Sequence, residues 1–303
     1  MSKRYRWKLK QREILVGERT LVMGILNVTP DSFSDGGKYD DPERALARAL
    51  ELEDEGADIV DIGAESTRPG SQRISEAEEL RRLVPVLKRL HGKLAVPISV
   101  DTYKSGVADK ALEHGAEIIN DPTGLMLDVQ LPKVVTKYDA GLVINHMRGT
   151  PETWAKLSPL KDPLRTIAID LEAAIHRARQ HGVQQRQMVI DPGLGFGKRR
   201  EQDAEIIAGL AALQHLDLPI LIGPSRKRFL KQEDETLTEF ATAAAVACCV
   251  LSGAHIVRVH NVKAMRAAVE VVDAIRNAAP EEPDARTPRG APFQNQTRWH
   301  RGQ

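Results

Sequence analysis

The chain has 303 residues, of which 43 are basic and 42 acidic, for a formal net charge of +1. That balance exerts no global pull toward nucleic acid or an anionic membrane surface. Hydrophobic residues at 42% and charged residues at 28% suit a globular protein with a sizeable core.

Residues 1–20 read as an N-terminal hairpin, RYRWKLK and REILV, packed across the bottom or side of the main body. From Leu21 to about Ile275 a strand–helix pattern repeats eight times. The strand patterns, in order, are LVMGILN, DIVDIGA, PISVD, EIIND, GLVINH, MVIDP, PILIG and HIVRVH. They are almost continuous Val, Ile and Leu, as expected where both faces of a parallel sheet are buried. Each run ends in polar chemistry: Asn27, then Glu65 with Thr67 and Arg68, then Asp101, then Asn120 with Asp121. The second half continues with His146, Asp191, Ser225 with Lys227, and Arg258 with His260.

Helical spacing fills the gaps. Leu80, Leu83, Val84, Leu87 and Leu90 make one stripe; Leu164, Ile167, Ala168, Leu171 and Ile175 make another. Asp41-Pro42 and Asp162-Pro163 put a capping side chain before a proline at the first helical position. Ser75 and Glu78 have capping-box spacing. Gly56, Gly92, Gly115, Gly141, Gly182 and Gly253 fall where a left-handed residue would close a helix.

Eight such units over residues 21–279 predict a (β/α)8 barrel, with the hairpin before it and a disordered tail at 280–303, where Pro, Arg, Asn and Gln predominate. The competing fold is a doubly wound open sheet. Gly193, Gly195 and Gly197 are spaced G-x-G-x-G, however, which is not the dinucleotide fingerprint. Cys248 and Cys249 are adjacent and leave no disulfide framework, which suits a reducing compartment. The basic start has no signal-length apolar segment before Leu21, and no apolar run approaches the roughly 20 residues that span a bilayer. A cytoplasmic location is expected.

In a barrel of this kind all strand ends meet at one mouth, where the active site sits. The first connection, NVTPDSFSDGGKYDD at 27–41, is long for a βα loop and suited to closing over a ligand. Asn27 offers an amide oxygen to a hydrated Mg²⁺ shared with substrate phosphates. Asp101, Asn120 and Asp191 are costly at buried strand ends unless paired or meeting a ligand. Two acids and an amide suit the N–H-rich edge of a fused heterocycle such as a pterin or purine; the structural alternative is an ion-pair network inside the barrel. Gly223-Pro224-Ser225-Arg226-Lys227 reads as a loop entering a helix, an anion or carbonyl-oxygen site. Arg258 and His260 alternate on the last strand beside Asn27, as a diphosphate site requires. His146 reads as a hydrogen-bonded packing residue. There is no H-E-x-x-H, no Cys/His cluster and no G-x-S-x-G.

GILNVTPDSFSDGG, ESTRPG, ISVDT, IIND, DPGLGFGK, GPSRK and RVH, in this order, resemble bacterial dihydropteroate synthases over Leu21 to Ile275. The resemblance implies a usually dimeric transferase of folate biosynthesis that uses Mg²⁺ and is inhibited by sulfonamides. The implied reaction joins (7,8-dihydropterin-6-yl)methyl diphosphate to 4-aminobenzoate. It further implies that Asp101, Asn120, Asp191 and Lys227 hold the pterin. Asn27 would contact the metal, and Arg258 and His260 the diphosphate. Thr67, Arg68, Pro69, Phe196 and Lys227 would border the aminobenzoate, and Ser34 and Asp35 belong to the closing loop. Departures from the commonest pattern are Arg228, Pro122, Pro224 and Asn261. A corrinoid-dependent pterin-binding methyltransferase would lack the first loop and the diphosphate set, and both are present; a non-catalytic pterin-binding barrel would be marked by loss of Lys227, Arg258 or the first loop, and none is lost.

Overall fold

The structure, a computed structural model, describes residues 3–29, 42–66 and 71–278. Eight parallel strands come after the hairpin strands β1 (Tyr5–Lys8) and β2 (Glu13–Val16). They are β3 (Leu21–Asn27), β4 (Ile59–Gly63), β5 (Ile98–Asp101), β6 (Ile118–Asp121), β7 (Gly141–Asn145), β8 (Met188–Asp191), β9 (Leu221–Ile222) and β10 (Ile256–Val259). The order is β8-β7-β6-β5-β4-β3-β10-β9, and a parallel bridge between Ile190 and Ile220 joins β8 back to β9. The sheet closes on itself, which excludes the open doubly wound alternative.

A helix succeeds each barrel strand: α1 (Pro42–Asp54), α2 (Glu76–Leu90), α3 (Ser105–Glu113), α4 (Leu131–Lys137), α5 (Pro163–Gln180), α6 (Arg200–Ala208), α7 (Glu235–Leu251) and α8 (Val262–Ala278). Asp162 caps α5 by accepting from Arg165 N at 3.0 Å, with Pro163 in the first turn. Ser75 caps α2 by accepting from Glu78 N at 3.2 Å, while the Glu78 carboxylate is taken by Arg81 and Arg82. Asp41, expected to cap α1, lies outside the described residues. Five of the six glycines placed at helix ends have positive φ. Gly141 does not. It opens β7, and the left-handed residue of that turn is Asp139 at φ 52°. Gly141 is needed for another reason: a Cβ there would lie 2.7 Å from Leu9 Cδ2 beneath the hairpin.

Strand side chains alternate between two sides, and here they fall into two apolar clusters. Val22, Val60, Val100, Ile119, Leu142 and Val257 join the larger one, with the helices. Met23, Ile59, Ile118, Val143, Val189, Leu221 and Ile256 make the smaller one inside the barrel, which Trp7, Leu9 and Val16 of the hairpin complete. Complete burial of each such side chain contributes on the order of 1.5–3 kcal/mol. Two residues further along, the same inner positions turn polar. Ile59 gives way to Asp61, Ile118 to Asn120, Val143 to Asn145, Val189 to Asp191 and Ile256 to Arg258. The barrel is therefore a dry apolar plug at one end and a polar cup at the other.

Candidate active site

Asn27, Asp101, Phe196, Lys227, Arg258 and His260 all border one open cavity of about 1050 Å³ at the C-terminal ends of the strands. Strand register explains part of this. Asn27 pairs with Gly63, Gly63 with Asp101, and Asp101 with Asn120, so four neighbouring strands reach the same level. Gly63 leaves a gap in that row: a Cβ there would sit 3.7 Å from Asn27 Oδ1 and 3.9 Å from Asp101 Oδ2. Asn120 and Asp191 are buried beside the cavity rather than on its wall.

Arg258 organises the acidic half. Its Nε donates to Asp61 Oδ2 at 2.6 Å and its Nη2 to Asp101 Oδ2 at 2.9 Å. The Asn120 amide donates to the same Asp61 oxygen at 3.1 Å. Burial drives the Asp101 carboxyl well above the usual carboxylate range, Arg258 opposes that rise, and Asp61 adds to it by repulsion. Burial also works against the Arg258 charge, but Asp61 and Asp101 outweigh it and hold the guanidinium above its ordinary value.

The other half is cationic. Asp191 accepts from Gly193 N at 2.7 Å; burial raises it to about 6, against the pull of that N–H, Lys227 and Lys198. Lys227 is lowered by burial, with Asp191 and Asp203 restoring part of its charge. Its Nζ stands 4.7 Å from the centre of the Phe196 ring, a cation–π contact, and Phe196 meets Trp154 edge-on at 5.5 Å. His260 Nδ1 is 2.9 Å from Ser225 Oγ, which fixes the imidazole at the rim.

Comparison with known proteins places the chain in a family. Residues 23–260 match the pterin binding enzyme family. Dihydropteroate synthase of Bacillus subtilis is 43% identical over 263 residues, covering 86% of this chain and 90% of the relative. The Synechocystis dihydropteroate synthase is 40% identical over 263 residues, covering 86% and 91%. A Clostridium difficile dihydropteroate synthase crystallised in the presence of pteroic acid superposes with a TM-score of 0.80 at 41% identity, over 86% of this chain and 98% of that one. A Yersinia pestis dihydropteroate synthase in a sulfonamide drug complex gives 0.83 at 36% identity, over 89% and 100%.

The chain belongs to the dihydropteroate synthases, within the pterin binding enzyme family. Its activity is accordingly that of a dihydropteroate synthase, a transferase of folate biosynthesis. Thr67, Arg68, Pro69, Ser34 and Asp35 lie outside the described residues.

One expectation for this dihydropteroate synthase is corrected. The lysine loop does not enter an α-helix. Lys227 precedes a single 3-10 turn, Arg228–Leu230, and α7 starts only at Glu235, capped by Asp234. No long helix N-terminus therefore points at the site from this loop. His146 behaves as a packing residue, its Nε2 3.0 Å from Asp170 Oδ2 and its pKa pushed down to about 2 by burial with Lys198 and Arg148 nearby. One departure from the commonest family pattern has a local use: Asn261 Oδ1 accepts from Ala264 N at 3.1 Å at the start of α8.

Reasoning from strand ends misses Asp61, because it sits in mid-strand. The signal is present all the same: a carboxylate inside the run IVDIG is as costly as one at the strand end. Lys198 reads in sequence as the polar end of a glycine loop, yet it borders the cavity.

Proposed function

We propose that this cup joins dihydropterin-methyl diphosphate to 4-aminobenzoate, with the acids under the pterin and the cations around the diphosphate. Asp191 and Asn120 meet the N–H-rich edge of the pterin, and Lys227 its carbonyl oxygen. Asp101, held by Arg258, completes the floor. His260 and the remaining N–H groups of Arg258 face the diphosphate.

The C–O bond to diphosphate breaks and takes its electron pair with the leaving anion, giving a methylene cation delocalised into the electron-rich ring. The aryl amine supplies the pair for the new C–N bond and releases a proton to solvent. Fixed carboxylates beside the cation and fixed cations beside the leaving anion favour both charges as they develop. The amine needs placement more than activation, and Phe196, Lys227 and the loop at 67–69 are assigned to that task.

Asn27 fits a Mg²⁺ site. One amide oxygen beside the gap at Gly63 suits a cation that keeps several waters and takes the rest of its ligands from phosphates. When bound, the ion would add positive charge at the diphosphate. Because a sulfonamide occupies the Yersinia pestis relative, we assign sulfonamides here to the aminobenzoate pocket as inhibitors.

We also propose a homodimer. Leu237, Phe240, Ala244, Cys248 and Leu251 make one exposed apolar face on α7, and Val271 and Ile275 another on the adjacent α8, with Phe240 67% exposed. A second copy of this chain would cover it. Free cysteines, and the lack of any helix among the described residues long and apolar enough to cross a membrane, are compatible with the cytoplasm as its location.

The observation that carries the reading is that six side chains from five separate strand ends and loops border one cavity, which brings the carboxylate of Asp101 together with the cations Lys227 and Arg258. Incubation with both substrates and Mg²⁺ should give dihydropteroate and diphosphate in equal amounts. Pterin bound without diphosphate release would overturn it.

A further inference from the structure

Lys198 takes no part in that chemistry, yet it spends its whole hydrogen-bonding capacity inside the mouth. Its Nζ donates to three carbonyl oxygens: His146 at 2.9 Å, Gly193 at 2.6 Å and Phe196 at 3.4 Å. An ammonium has three donors, so all are used. The segment that carries Gly193 and Phe196 is tightly turned, with Gly193, Gly195 and Gly197 all left-handed at φ 68°, 77° and 73°. His146 belongs to the connection after β7, whereas Gly193 and Phe196 belong to the connection after β8. One side chain thus fastens two loops that share no strand.

Each loop carries one half of an aromatic wall. Trp154 comes from the connection after β7 and Phe196 from that after β8, and their rings meet edge-on at 5.5 Å. Arg148 ties the same pair of loops, its backbone N–H donating to Phe196 O at 3.3 Å and its Nη1 to Gly197 O at 3.1 Å. Phe196 in turn lies under the Lys227 ammonium on the cavity wall. Without the Lys198 ammonium, His146 O would lose its donor, Gly193 O would keep only the Phe196 N–H and Phe196 O only that of Arg148, and carbonyl oxygens left short of donors are costly. The loop would relax, and Phe196 with it.

We propose that Lys198 is a positioning residue for the aryl amine. It sets where Phe196 stands and so tunes affinity for 4-aminobenzoate, while leaving the pterin well intact. The assignment rests on the reading of the cup as a dihydropteroate synthase site with Phe196 beside the aminobenzoate. A rival role, acting through charge on Asp191, would instead weaken pterin binding; the three bonds of Lys198 to loop carbonyls favour the first.

Lys198→Met keeps most of the stem and removes the donors. In two-substrate kinetics with the full chain, KM for 4-aminobenzoate should rise about tenfold or more, with KM for dihydropterin-methyl diphosphate within about twofold. Lys198→Arg restores donors on a longer head and should give an intermediate KM, a rescue that mere loss of packing would not produce. If Lys198→Met does not fold, Lys198→Arg carries the test, with an aminobenzoate KM about threefold above that of the unsubstituted protein. An unchanged aminobenzoate KM, or a defect confined to the pterin substrate, overturns the assignment. Failure of the unsubstituted protein to make dihydropteroate would overturn the underlying reading as well, so the two failures are distinguishable.

Discussion

Asp61, in the middle of β4, holds Arg258 of β10 across the intervening strand β3, carboxylate oxygen to Nε at 2.6 Å. The same oxygen receives the Asn120 amide. A side chain that touches the floor of the cup from below therefore orients one residue assigned to the diphosphate and one assigned to the pterin. Asp61→Leu should leave the Arg258 charge with Asp101 alone and release Asn120. Urea unfolding should show a loss of about 3 kcal/mol, the size expected when one member of a buried ion pair is removed. kcat/KM should fall at least a hundredfold. Wild-type kinetics in this variant would mean that Arg258 needs no anchor.

The acidity of Asp191 predicts opposite pH trends for stability and binding. Burial lifts its folded pKa from 3.8 to about 6, so the folded state prefers the protonated form. The stability this confers is fully present below about pH 4 and is lost as pH rises through about 6. Pterin affinity should change the other way, because only the carboxylate accepts from two N–H groups. Thermal melts and calorimetric titrations between pH 5 and 8 check both trends. Pterin affinity that strengthens on acidification would contradict the role given to Asp191.

Gly193 admits no side chain. At φ 68° its Cβ would come within 2.0 Å of His146 O, a backbone atom. Gly193→Ala should cost at least about 2 kcal/mol from left-handed strain plus the clash. It should also weaken both substrates, since Asp191 and Lys198 bind this residue from opposite sides. An unaltered melting temperature would show that the loop is softer than its geometry requires.

The exposed apolar face on α7 gives a prediction about assembly. Phe240→Asp places a charge in the middle of that face without touching the cavity. Sedimentation should then report a dimer for the unsubstituted chain and a monomer for the variant. A monomer in both cases would remove the basis for the homodimer.

Much of the architecture is legible in the residues alone. Repeated Val/Ile runs, Asp162-Pro163 and the glycine-closed helices mark eight units, and polar residues at the strand ends mark the mouth. What stays hidden has one cause. The pattern of a strand buried on both faces does not say which of its residues look inward, so Asp61 reads as part of an apolar run. Loops pose a related problem. GPSRK has the composition of a helix entrance, but Pro224 O accepts from Lys227 N at 3.2 Å and Arg226 is left-handed at φ 56°, which turns the chain before a long helix can begin. Gly141 has the look of a helix end because its need, close passage of Leu9 from the hairpin, comes from far away in the chain.

The central claim is that one cup has a pterin floor and a separate diphosphate rim. Calorimetric titration of dihydropterin-methyl diphosphate, and of the same pterin bearing only a hydroxymethyl group, tests it in Asp191→Ala and His260→Ala proteins. Asp191→Ala should lose both ligands by about a hundredfold, whereas His260→Ala should lose about tenfold for the diphosphate ester alone. Tight pterin binding by Asp191→Ala, or equal losses of both ligands in His260→Ala, would contradict the account.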